Sequence, residues 1–138
     1  MDALFLEAAV VSGHRPAAEL LSKRLNVPNL YTTGFNFPTC VLRHLGGAAA
    51  LLGRYEEARQ HYLEAIKVCT EMPFRPELAL TRLQLAELLL EHYPAEKKEA
   101  LEHLDFAIKE FRGGSVNRCV NRSGNGKHLF PISLNSFQ

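Results

Sequence analysis

Residues 41–66 read VLRHLGGAAALLGRYEEARQHYLEAI. Large or small apolar residues return every three or four positions, which is the period of an amphipathic helix. Leu42, Leu45, Ala49 and Leu52 make one stripe, and Tyr55, Ala58, Tyr62, Ala65 and Ile66 make a second. Gly53 stands between the stripes, where a helix C-terminus needs a residue that tolerates a positive φ. The stretch therefore reads as two helices folded back on each other. It also holds Glu56, Glu57, His61 and Glu64 close together, groups that could in principle support acid–base chemistry.

The pattern extends both ways. Leu78, Leu85, Leu88 and Leu89 make a third stripe, and Leu101, Leu104, Ala107, Ile108 and Phe111 a fourth. Segments from about Asp2 to Ser12 and from Pro16 to Leu25 supply another pair. Pro16, Pro38, Pro76 and Pro94 each sit near a helix start, where the missing N–H has no intrahelical partner to lose. Strand signals are almost absent before residue 113. The hairpins also repeat. Gly13–Ala18 aligns with Gly53–Ala58 after 40 residues, and Ala58, Tyr62 and Ala65 align with Ala100, Leu104 and Ala107 after 42. A constant period with one hairpin per period predicts an all-α fold, an α-solenoid of three tandem helix hairpins.

These residues resemble the tetratricopeptide repeat. Leu42, Leu45, Gly46, Ala48, Ala49 and Leu52 fall on the family's first-helix positions, and Gly53, Tyr55, Ala58, Tyr62 and Ala65 on its second. Ala86, Ala100, Leu104 and Ala107 continue this packing signature in the next repeat. Departures are Ala49 where the family prefers Tyr, Arg82 where it prefers a large apolar residue, and a period longer than the usual ~34. The run from Phe74 to Phe111 is similar to the C-terminal repeat regions of bacterial multidomain adenylate or guanylate cyclase–ATPase signalling proteins. That resemblance implies a protein–protein interaction module whose host keeps its catalysis in other domains. It also implies that partners meet the concave face, at Cys40, Arg43, Gly47 and Ala50. The family's peptide-carboxylate clamps carry Asn where Gly47 stands, so that activity is not implied.

The candidate chemistry is weaker than the packing pattern. Glu56, Glu57, Gln60, His61 and Glu64 fall outside the apolar stripe of their helix, and His61 has an echo in His103 of the next repeat. Glu57–His61 and Glu99–His103 are i,i+4 pairs of the kind that decorate a solvated face. No His-x-x-x-His pair occurs, and Cys40, Cys69 and Cys119 form no Cys-x-x-Cys pair, so neither a metal site nor a cofactor is expected. In the tail, Gly126-Lys127 is followed by His128 and preceded by Asn121 where a phosphate loop needs Ser/Thr and Gly.

Net charge is +1 over 138 residues, which gives no general attraction to nucleic acid or membrane. The charge is uneven, because no acid follows Glu110 while Arg112, Arg118, Arg122 and Lys127 do. A nucleic-acid role for this basic tail is the alternative reading, and it would show as salt-sensitive binding lost on deleting residues 113–138. A metal or acid–base enzyme on the Glu/His surface ranks third. No apolar run is long enough to span a bilayer or forms a secretory leader, and a cytoplasmic location is expected. Repeats are placed over 1–112, as 1–26, 38–72 and 76–112, with 113–138 an irregular, disordered tail. The change of composition after Phe111 points to a truncated or frame-shifted piece of a longer gene. Ends without capping helices are expected to favour self-association.

Overall fold

A computed structural model describes residues 2–25, 31–33, 38–71 and 75–113. Six α-helices account for nearly all of them: α1 (Asp2–Val11), α2 (Arg15–Leu25), α3 (Val41–Leu51), α4 (Tyr55–Glu71), α5 (Arg75–His92) and α6 (Lys97–Gly113). They pair as α1/α2, α3/α4 and α5/α6, and each pair packs on the next, α3 against α1 and α2, and α5 against α4. The chain is thus an all-α stack of three hairpins. The expected tail lies outside the described residues, beyond Gly113, the last residue of α6.

The turns follow from glycine. Gly13 and Gly53 have φ of 70° and 82°. In each turn the glycine N–H donates three residues back, to Val10 or Ala50, and the next N–H donates five residues back, to Ala9 or Ala49. This is the Schellman arrangement, which satisfies the last carbonyls of a helix and needs a left-handed residue at the glycine. His14 then caps α2, its Nδ1 accepting from the Ala17 N–H at 3.2 Å. The third turn has no glycine. It runs through a short 3-10 segment at Pro94–Glu96, which takes up its extra residues.

One element departs from the expected pattern. Tyr31–Thr33 and Pro38–Cys40 pair as antiparallel strands β1 and β2, with Tyr31 opposite Cys40 and Thr33 opposite Pro38. The Thr residues favour an extended backbone, and three-residue strands are too short to leave a period in the sequence.

Side-chain size sets the helix spacing. Ala18, Ala58, Ala65, Ala86, Ala100 and Ala107 are fully buried, so paired helices approach along alanine seams. Gly46 lets Tyr62 come closer still. A Cβ at Gly46 would stand 2.7 Å from the Tyr62 ring, whereas at Gly47 the nearest atom would be 3.6 Å away. Leu45 is also buried and Leu104 half-buried. Tyr55 is an exception within the signature. It lies on the surface, stacked on the His92 ring at 3.6 Å, and ties the start of α4 to the end of α5. Two apolar clusters result, one around Leu6, Leu25, Leu42 and Leu78, the other around Tyr62, Leu85 and Leu89, with Ile66 touching both.

Candidate partner-binding face

The first helices α1, α3 and α5 form the inner row of the stack, and its centre is a buried polar cluster. Glu77, in the first turn of α5, reaches across to the start of α3. Its Oε1 accepts from Arg43 Nε at 2.7 Å, from the Cys40 N–H at 2.9 Å and from the Thr39 hydroxyl at 3.0 Å. An anion near a helix N-terminus is favoured by the unpaired N–H groups there. Arg43 also reaches Glu7 of α1 at 3.4 Å, so one guanidinium joins three helices. Burial works against its charge, but Glu77 and Glu7 together more than offset this and hold the guanidinium protonated.

His44 completes the cluster. A threonine hydroxyl has one proton, and that of Thr39 goes to Glu77. His44 Nε2 lies 2.7 Å from the same Thr39 oxygen and 3.4 Å from Arg43 Nη2, which places the ring inside this network. Burial, then the Arg43 charge, brings the His44 pKa down to about 4. A depressed histidine stabilises the fold fully above its unfolded value near 6.5, and that contribution disappears as pH falls toward 4. Lowering the pH from 7 to 5 should therefore cost on the order of 2 kcal/mol. Urea titrations at the two pH values measure it, and His44→Gln should flatten the dependence. An unchanged slope in that variant would remove His44 as the cause.

This geometry revises the expected docking residues. Cys40 and Arg43 are 1% and 5% exposed. They serve the interior and offer little to a partner, because Glu77 covers them. Sequence spacing missed Glu77, since its partners lie 34 or more positions away. Cys40 and Cys69 hydrogen-bond through their thiols, which brings Cys40 down to about 7 against the opposing effect of burial, and which together with burial pushes Cys69 up. Gly47 and Ala50 remain half-buried on α3. Val10 of α1 flanks Gly47. On α5 the positions 40 residues after Cys40, Arg43, Gly47 and Ala50 are Leu80, Leu83, Glu87 and Leu90. The three leucines are half-buried and Glu87 is exposed. The inner row therefore presents a small-residue centre with apolar sides.

The Glu/His surface lies elsewhere. Glu56, Glu57, Gln60 and Glu64 are exposed and His61 is half-buried. His61 Nε2 lies 3.8 Å from Glu57, and His103 repeats this with Glu99 at 3.7 Å. Glu57 and His61 edge an open cleft of about 180 Å³ between α2 and α4, with Leu45, Ala49 and Leu52 as its floor and Lys23 and Arg54 on its rim. Among the described residues no three His, Cys, Asp or Glu side chains gather as metal ligands would. Arg82 takes the place of an apolar residue by lying over the Phe106 ring at 4.1 Å. Burial, then Arg82, holds the His103 ring below its usual pKa. No helix among the described residues is long and apolar enough to cross a membrane.

Three glycine- or proline-turned hairpins on alanine seams are a repeat architecture, and the family comparison names it. The description Tetratricopeptide repeat matches residues 38–109, just over half of the chain. The protein belongs to the tetratricopeptide-repeat family. The match begins at β2 and takes in the α3/α4 and α5/α6 repeats, while the α1/α2 hairpin precedes it. Neither the curated proteins nor the solved structures compared with the chain contain a match. Tetratricopeptide repeats generally mediate protein–protein interaction and are generally non-enzymatic.

Proposed function

We infer that this tetratricopeptide-repeat chain is a docking module without catalysis of its own, and that its partner is a protein or peptide seated on the inner row of first helices. The observation that carries the reading is that Gly47 and Ala50 of α3 and, at the equivalent row of α5, Leu80, Leu83 and Leu90 are all left half-buried. Small residues on α3 let a partner backbone approach, and leucines on α5 supply apolar area. Charge around this row comes from Glu7 and Glu87. The run from Phe74 to Phe111 supports an origin in the repeat region of a bacterial cyclase–ATPase signalling protein. An upstream reading frame for such domains in the source genome would bear that out, and its absence would count against it.

Selection from a displayed peptide library tests the docking face. Peptides recovered on the wild-type chain should lose at least about tenfold in affinity to Ala50→Arg or Leu83→Glu, a cost of about 1.4 kcal/mol. Retained binding in both variants, with helicity intact, would move the docking site off this row.

A further inference from the structure

We propose that this chain stacks head to tail on a second copy of itself, α1 of one molecule lying on α6 of the next as α5 lies on α4 within each molecule. The argument comes from what the repeat buries at equivalent positions. A shift of 40 residues carries Phe5 to Leu45 and Leu85, and Ala8 to Ala48 and Leu88. Leu45, Leu85, Ala48 and Leu88 are 8%, 0%, 0% and 5% exposed. In α1 the same positions are open, with Phe5 at 59% and Ala8 exposed. Leu4 at 59% borders this open stripe, and Val11 at 83% extends it by a turn. What covers it in α3 and α5 is the second helix of the preceding hairpin, α2 or α4.

The other end carries the matching half. A shift of 42 residues takes Tyr62, Ile66 and Cys69 of α4 to Leu104, Ile108 and Phe111 of α6. In α4 these side chains pack with α5 against them, Tyr62 and Cys69 at 3% and 4% exposed. In α6 Ile108 is 39% exposed and Leu101, two turns earlier, 49%, with Leu104 and Phe111 half-buried. Among the described residues, each molecule thus presents both halves of one interface it already contains, on its first and last helices. The join is heterologous, so it propagates instead of closing as a symmetric dimer. Exposed apolar stripes of this kind mark contact surfaces. The inner row used for a partner stays free in such a stack, so this inference stands apart from the docking reading.

Sedimentation of the full chain over a wide concentration range tests it. The wild-type mass should rise with concentration past that of a dimer. Phe5→Glu removes one face and Ile108→Glu the other, so each variant alone should be a monomer. Mixed in equal amounts, they should form a species of two chains and none larger, because each keeps one sound face. A wild-type chain monomeric throughout would overturn the proposal, as would a mixture that stays monomeric. Loss of association in Phe5→Glu with Ile108→Glu still dimeric would mean that α1 meets α1, and would overturn it too. Leu4 is as exposed as Phe5, and Leu101 more exposed than Ile108, so Leu4→Lys and Leu101→Lys repeat the experiment if a glutamate variant loses helicity.

Discussion

Glu77→Ala is expected to lower the folding stability by about 3–5 kcal/mol, a large part of what a small domain has. The cause is what remains behind. Arg43 is 5% exposed and would keep a buried charge with only Glu7, 3.4 Å away and half in solvent, to answer it. The Cys40 N–H and the Thr39 hydroxyl would lose their acceptor as well. A buried pair is costly to break, yet cheap to replace as a whole by apolar groups. Arg43→Met combined with Glu77→Leu should therefore recover more than half of the loss. Denaturant unfolding of the two single variants and the double measures both effects. A loss below about 1 kcal/mol for Glu77→Ala would place the pair among ordinary surface bridges and refute this account.

The second large effect separates two adjacent glycines. Gly46→Val should cost about 3 kcal/mol, because its Cβ alone would come within 2.7 Å, 2.8 Å and 3.0 Å of three Tyr62 ring carbons. The ring is 3% exposed and has nowhere to swing, so α3 and α4 must part. Gly47→Ala meets only Val10 and the Tyr62 hydroxyl, at 3.6 Å and 3.7 Å, which are ordinary contacts. There alanine's higher helix propensity decides, and the variant should be neutral or up to about 1 kcal/mol more stable. Tyr62→Leu in the Gly46→Ala background should relieve part of the strain. Thermal melts of the four variants check the set. Equal destabilisation by alanine at 46 and 47 would show that helix propensity or the core at large, and not the Tyr62 ring, sets the tolerance.

Much of this fold was legible because it is local. Helix periodicity, the glycines at 13 and 53 and the alanine seams are all features of neighbouring residues, and the period near 40 makes each hairpin confirm the others. The candidate site was less legible, for a physical reason. The family resemblance places Arg43 on the face that meets a partner. Its burial depends on Glu77, whose meeting with it is decided by how two hairpins stack. No spacing rule within one helix encodes that contact. The short pairing of β1 with β2 escaped for a similar reason, as three-residue strands hold too few alternations to register. The choice of Gly47 and Ala50 as docking residues rests on their repeat position alone.

The link from α5 to the start of α3 also bears on how the stack comes apart. In a linear array each hairpin contacts only its neighbours, so such arrays tend to unravel from an end. Glu77 joins the backbone of Cys40, the hydroxyl of Thr39 and the guanidinium of Arg43 in one knot between the second and third hairpins. The first hairpin shares in it only through Glu7. The last two hairpins are therefore joined by a buried polar knot as well as by apolar packing, whereas the first is held to α3 chiefly by the apolar cluster around Leu6, Leu25 and Leu42. Amide hydrogens of α1 and α2 would exchange through local opening, while those of α3 to α6 would wait for the last two hairpins to melt together.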